Sequence, residues 1–200
     1  RPESLYGKQM KTNLAYPGQI QPLPIAPYLD DICTALKNSP SHFLVLTAET
    51  AAGKSTAVPF ALLRHFSGKC IMLEPRRISA LAVASRVSEL LGEEPGETAG
   101  YVMHLESRVS GKTRFTVMTE AVLERMLQDD PSLAGISVVV IDEFHERSVH
   151  ADLSLAFLKE SMELRDDLFV IVMSATIDTH QLSSYLVTRQ EPTPVFSVTV

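Results

Sequence analysis

The sequence predicts a three-layer α/β domain with a mainly parallel sheet, and three observations carry that expectation. Short continuous apolar runs such as Phe43–Leu46 and Val138–Ile141 fit strands covered on both faces, as in a parallel sheet between helix layers. Segments with apolar residues at three- and four-residue spacing separate these runs, so strand and helix alternate along the chain. Gly53-Lys54-Ser55 follows one apolar run and opens a helical pattern, which is the strand–loop–helix context of a phosphate-binding loop.

The elements follow in order. Residues 1–27 carry Pro2, Pro17, Pro22, Pro24 and Pro27 with almost no periodicity, so an extended arm is expected. Tyr28–Lys37 reads as a helix through Leu29, Ile32, Cys33 and Leu36, ended by Ser39-Pro40. A strand over Phe43–Ala48 precedes a helix over Lys54–His65, and a strand over Lys69–Glu74 precedes a helix over Ser79–Leu91. Short strands are expected at Thr98–Met103 and Arg114–Met118, joined by a polar loop containing Ser110-Gly111-Lys112. A helix at Glu120–Gln128, a strand at Ser137–Asp142, a helix at Ala151–Met162 and a strand at Leu168–Ser174 continue the alternation. His180–Leu186 reads as a short helix and Pro194–Val200 as a strand.

Bulk properties narrow the class. The chain has 200 residues, 45% hydrophobic and 21% charged, as in an ordinary globular domain with material for a core. No run approaches the roughly 18 apolar residues of a membrane helix, and Arg1–Lys11 lacks the apolar centre of a signal peptide. Cys33 and Cys70 fit no metal spacing; buried thiols in a reducing compartment, the cytoplasm, are expected. A net charge of −6 argues against broad attraction to nucleic acid but leaves room for local basic strips. Two such groups stand out, Arg76, Arg77 and Arg86, and Arg108, Lys112 and Arg114. On charge alone the simplest reading of both is a solvated face.

The chemistry sits at two places. In Ala48-Glu49-Thr50-Ala51-Ala52-Gly53-Lys54-Ser55, backbone N–H groups and a helix N-terminus would face an anion. Lys54 would neutralise the outer phosphates and the Ser55 hydroxyl would meet Mg²⁺. Asp142-Glu143-Phe144-His145 ends another apolar run, putting two carboxylates at the carboxyl end of a strand. One can hold a metal shell while the other polarises a water, the division of labour that phosphoryl transfer needs. Together the two segments indicate a nucleoside triphosphatase that takes ATP and Mg²⁺.

Those segments, with Glu74-Pro75-Arg76-Arg77, Met118-Thr119-Glu120, Asp142-Glu143-Phe144-His145-Glu146-Arg147-Ser148 and Ser174-Ala175-Thr176 in that order, resemble the motif series of DEAH-type RNA helicases. Phe144, where Ala is usual, together with Leu73-Glu74-Pro75-Arg76-Arg77, resembles the bacterial HrpB-type branch. The resemblance runs from about residue 25 to 200 and implies a RecA-like P-loop domain. It implies nucleotide contacts from Ala51, Ala52, Gly53, Lys54, Ser55 and Thr56, and Mg²⁺ held through Ser55 and Asp142. Glu143 would polarise the attacking water. His145 would link the site to Ser174 and Thr176, which transmit the state of the γ-phosphate. Arg76, Arg77, Thr119 and Glu120 would meet single-stranded RNA, or DNA, through its backbone, and Arg86 would stack on adenine.

In such helicases ATP lies between two RecA-like lobes, the second of which supplies an arginine finger. The implied division here is an arm over 1–27, an ATP-binding lobe over 28–194, and the start of a connection to the second lobe over 195–200. The rival from another class is a degenerate P-loop module that binds nucleotide or a partner without turnover. Three departures from the family pattern stand out: Ala48, Ala51 and Ala121, each where Gly is common. If Ala51 sits in left-handed backbone, its Cβ costs on the order of 1–2 kcal/mol. If it sits in ordinary α or β backbone, it costs nothing.

Overall fold

The computed structural model describes residues 15–144, 148–175, 179–186 and 193–198. Its strands are β1 (Phe43–Ala48), β2 (Lys69–Leu73), β3 (Ala99–Met103), β4 (Glu106–Arg108), β5 (Phe115–Met118), β6 (Ile136–Ile141), β7 (Phe169–Ser174) and β8 (Val195–Val198). Its α-helices are α1 (Leu29–Lys37), α2 (Lys54–His65), α3 (Arg77–Leu91), α4 (Glu120–Asp129), α5 (Val149–Glu163) and α6 (Thr179–Tyr185). The strands form one sheet in the order β4-β3-β5-β2-β6-β7-β1-β8. Every pairing is parallel except β3 with β4.

The two-residue period of the pleat divides the apolar runs between two cores. Leu44, Leu46, Cys70, Met72, Val138, Val140, Ile171 and Met173 face one layer, with residues of α1, α2 and α3. Phe43, Val45, Ile71, Leu73, Val139, Ile141, Val170 and Val172 face the other, with α4, α5 and Leu182 of α6. Both faces of the central strands are therefore covered, which explains the absence of polar alternation in their sequences. This is the expected three-layer α/β architecture. A parallel sheet also directs all its strand ends one way. Ala48, Leu73, Met118, Ile141 and Ser174 therefore end on a single edge, where an open α/β sheet binds its ligand.

Three local features differ from expectation. The described part of the expected arm is not extended: Ile20, Leu23, Ala26 and Tyr28 each donate a backbone hydrogen bond three residues back, making successive turns. Ile20 and Ile25 are 1% and 0% exposed, and the Ile25 N–H donates to the Ala52 carbonyl at 3.2 Å. Tyr16 packs its ring on Phe60 and donates its hydroxyl to Asp30. Tyr16, Ile20 and Leu23 do fall at helical spacing, but Pro17, Pro22, Pro24 and Pro27 interrupt a helix there, so the spacing alone does not signal burial. Residues 1–14 of the arm lie outside the described residues.

The second difference is β4, where a polar loop was expected. It pairs antiparallel to β3 around Leu105, whose φ is 64°. A Cβ on Gly100 would stand 2.1 Å from the Arg108 carbonyl oxygen, so only glycine admits β4 at this distance. Glu106, Ser107 and Arg108 are all exposed, so this strand carries no apolar signal. The third concerns Arg114, which is not part of a solvated basic face. Its guanidinium donates to the Leu63 and Phe66 carbonyls at 3.1 and 2.5 Å and caps the C-terminus of α2.

At the other edge of the sheet, β8 pairs parallel to β1 from Val45↔Val195 to Ala48↔Val198. This is the strand expected over Pro194–Val200, with Thr199 and Val200 outside the described residues.

Candidate nucleotide site

β1 delivers the chain to Glu49, whose φ and ψ of −57° and 154° turn it out of the sheet. Thr50–Ala52 make one 3-10 turn, and Gly53 at φ 84° opens α2. The strain suspected at Ala51 is therefore not there. Ala51 belongs to the 3-10 turn and is not among the residues with positive φ; the left-handed residue is Gly53, where glycine adopts it freely. The backbone of this loop matches what the sequence provides.

Lys54 is the first residue of α2 and points inward, 1% exposed. Its Nζ lies 3.5 Å from Glu143 Oε1 and has no hydrogen-bond partner among the described residues. A buried ammonium whose three donors meet no described hydrogen-bond acceptor is costly to keep, unless a further anion completes its shell. Ser55 Oγ donates to Asp142 Oδ2 at 2.5 Å. Thr56 Oγ1 turns back to the Gly53 carbonyl at 3.4 Å, a weak bond that closes the first turn of the helix.

Asp142 and Glu143 follow β6. The Asp142 N–H donates to the Leu73 carbonyl at the end of β2, which fixes the carboxylate over the strand ends. Asp142 is 3% exposed. Burial pushes its carboxyl above the ordinary range. The Ser55 hydroxyl and the Glu143 N–H, 2.8 Å from Oδ1, pull it back down, the Glu143 charge raises it, and Lys54 lowers it. Glu143 adopts φ 52°, a left-handed conformation that costs a non-glycine residue on the order of 1 kcal/mol. Its side chain reaches Lys54. The sequence raised the question of strain only at Ala51 and left it open there; nothing in an Asp-Glu pair signals backbone handedness.

Of the other expected site residues, Ser174, Arg76, Arg77, Thr119 and Glu120 stand at or just beyond strand ends on the same edge, whereas Arg86 lies further along α3. Ser174 ends β7, fully buried, in register with Thr47 of β1. His145 and Thr176 lie outside the described residues. Arg76 is the N-cap of α3 and Arg77 its first residue, both exposed. Arg77 Nη2 lies 3.5 Å from Glu106 of β4. Arg86, three turns into α3, pairs with Glu89 at 2.7 Å and is 41% exposed. Thr119 is the N-cap of α4. Glu120 accepts a hydrogen bond from Ser148 Oγ at 3.0 Å, and the same Ser148 oxygen caps α5 by accepting from the Ala151 N–H. Ser148 entered the sequence reading only as the end of the Asp142–Ser148 segment; its bond to Glu120 was not foreseen, and a serine before a helical run signals the cap alone.

The donor set fits the group the sequence implies. Ser55 and Asp142 offer adjacent hard oxygens, and the unsatisfied Lys54 ammonium offers a positive charge beside them. Among the described residues no cluster of three or more His, Cys, Asp or Glu is placed to hold a metal ion. A Mg²⁺ at Ser55 and Asp142 would therefore take most of its ligands from water and phosphate oxygens, as this ion commonly does.

A parallel sheet with a glycine-turned loop, an inward lysine and two carboxylates on one edge defines a P-loop nucleoside triphosphatase domain of RecA-like type. The chain belongs to the DEAD/DEAH box helicase family, whose profile matches residues 30–184. It is 50% identical over 167 residues to the ATP-dependent RNA helicase HrpB of Escherichia coli, covering 82% of this chain and 20% of that protein. It is 43% identical over 178 residues to the ATP-dependent RNA helicase DHX29 of Mus musculus, covering 82% of this chain and 13% of the relative. A crystal structure of the E. coli DEAH/RHA helicase HrpB superposes with a TM-score of 0.82 at 47% identity, over 89% of this chain and 22% of that one. The chain thus spans about a fifth or less of the length of the curated relatives it matches.

Proposed function

We propose that the chain is the ATP-binding lobe of an ATP-dependent RNA helicase, which couples ATP hydrolysis to movement along, or remodelling of, single-stranded RNA. The observation that carries this is the buried Lys54 ammonium, without a hydrogen bond among the described residues and 3.5 Å from Glu143, beside the Ser55–Asp142 pair. Such a cation is explained by a phosphate group in the loop. Ala51, Ala52, Gly53, Ser55 and Thr56 would present N–H groups and hydroxyls to the phosphates, at the N-terminus of α2. Ser55 and Asp142 would hold Mg²⁺, which when bound neutralises charge developing between the β- and γ-phosphates. Glu143 would orient the attacking water and take up its proton, with His145, Ser174 and Thr176 relaying the state of the γ-phosphate.

The exposed Arg76 and Arg77 support a backbone contact to RNA, and DNA would present the same phosphates. Glu120, held by Ser148, would act through the α4 N-terminus rather than as a phosphate ligand, with Thr119 beside it. Arg86 would leave Glu89 to stack on adenine. A second RecA-like lobe would close the cleft over the nucleotide. Cys33 and Cys70 are buried, and burial pushes both thiols up to about 12, which suits a reducing, cytoplasmic setting. No described helix is long and apolar enough to cross a membrane.

The test is ATP turnover by the intact protein with and without single-stranded RNA. Stimulated turnover that disappears in Lys54→Ala is expected. Nucleotide binding with no turnover under any nucleic acid would favour a binding module instead.

A further inference from the structure

We infer that Leu23 and Ile25 are positioning residues for the phosphate loop, so that the segment before α1 sets how well the site is formed before nucleotide arrives. This deepens the nucleotide-site reading and rests on it. The hinge of the loop is Gly53, at φ 84°. Glycine is the residue with the widest backbone freedom, so something outside the loop has to restrict it. A Cβ built on Gly53 would stand 2.7 Å from Leu23 Cδ1, and the three atoms nearest that point all belong to Leu23. The Leu23 isobutyl group therefore occupies the space over the Gly53 Cα.

Next to it, the Ile25 N–H donates to the carbonyl of Ala52, the residue just before the hinge. The segment therefore touches the loop twice, once by packing and once through the backbone.

The segment is itself held firmly. Leu23 lies between Ile20 and Ile25, which are 1% and 0% exposed. Its N–H donates to the Ile20 carbonyl and its carbonyl accepts from Ala26, both at 2.9 Å. Upstream, Tyr16 is clamped against Phe60 and Asp30, with the Arg64 guanidinium 4.7 Å over its ring. Phe60 and Arg64 belong to α2, the helix that Gly53 begins. The segment thus crosses from the body of α2 to its first turn and fixes the angle at which Lys54 enters the site. A loop ordered in advance does not lose that conformational freedom on binding, so the benefit appears as nucleotide affinity.

The test compares Leu23→Ala and Leu23→Met with the unmodified full chain. The readouts are titration with a fluorescent Mg·ADP analogue, a thermal melt, and amide exchange over residues 49–56 and 29–37 in nucleotide-free protein. Leu23→Ala is expected to raise Kd about three- to tenfold and to speed exchange in the loop while α1 stays protected. Leu23→Met, which keeps the volume, is expected to stay near the parent. A lower melting temperature with unchanged Kd and unchanged loop exchange would make Leu23 a packing residue only and overturn the inference. If Leu23→Ala does not fold, Leu23→Val is read in the same way. If the parent binds no Mg·ADP, the nucleotide reading fails, and the exchange comparison still decides whether the segment orders the loop.

Discussion

Replacing Glu143 by Gln tests the site's electrostatics because it removes one charge and almost no volume. The Lys54 ammonium is 1% exposed and the Glu143 side chain 23%, with 3.5 Å between them. At an effective dielectric near 20, two unit charges at that distance attract by about 5 kcal/mol. Desolvation of both groups cancels most of that, leaving about 1–2 kcal/mol net. Nucleotide-free Glu143→Gln should therefore melt about 2–8 °C lower, at ~2–4 °C per kcal/mol for a domain of this size. With saturating Mg·ATP the gap should shrink, because a phosphate supplies the anion that Lys54 has lost. The same accounting predicts ATP affinity equal to the parent or up to about tenfold tighter, since Lys54 no longer has to leave Glu143. Turnover should nevertheless stop, because an amide takes no proton from water. Paired melts with and without Mg·ATP, an ATP titration and a phosphate-release assay measure all three. Unchanged free stability together with weaker ATP binding would refute the reasoning.

The Asp142 carboxyl is raised above its ordinary value of 3.8, chiefly by burial. A folded-state value above the unfolded one means stability present below about pH 4 and lost as pH rises through the folded value. Asp142→Asn should thus raise the melting temperature of nucleotide-free protein at neutral pH, flatten its pH dependence above that window, and weaken Mg²⁺-dependent ATP binding. A pH series of melts and titrations checks both signs. Ala51→Gly should leave ADP affinity unchanged and lower stability by ~0.4–1 kcal/mol through the entropy of the unfolded chain, as calorimetric titration and a melt would show. The 200-residue chain alone should hydrolyse ATP barely above background. Without an arginine finger the deficit is roughly 10³–10⁵ in rate. RNA-stimulated turnover by this chain would contradict that expectation.

The layers and most elements were legible because the buried strands are made of unbroken Val, Ile and Leu, and because the Gly53-Lys54-Ser55 and Asp142-Glu143 segments follow such strands directly. What escaped the sequence shares one physical character: contacts that no strand or helix pattern announces. Ile20 and Ile25 are buried and Leu23 half-buried in a proline-rich run of turns; Ile20 and Leu23 bond three residues back and Ile25 bonds to the Ala52 carbonyl. β4 is three exposed polar residues kept in the sheet by backbone pairing and by the missing Cβ of Gly100. Arg114 looked like a surface cation because charge does not reveal that its partners are two helix-terminal carbonyls. Backbone handedness was equally invisible. The sequence left open whether Ala51 is strained, whereas within the site the positive φ values fall on Gly53 and Glu143.

That placement of strain bears on how the site works. Gly53 adopts its left-handed conformation without penalty. Glu143 meets the same conformation at a cost, and does so one residue after a carboxylate that burial already disfavours as an anion. Two unfavourable terms therefore sit on consecutive residues at the end of β6, each held by its own contacts: Ser55 and the Glu143 N–H on Asp142, Lys54 on Glu143. Ser55 and Lys54 are also the side chains that a phosphate and its metal would engage. Nucleotide bound there would redistribute the interactions that hold these two carboxylates. Ser148 caps α5 a few residues further on and is bonded to Glu120 at the start of α4. The sheet edge offers a short covalent and hydrogen-bonded route from the phosphate loop to the strand ends proposed to meet RNA.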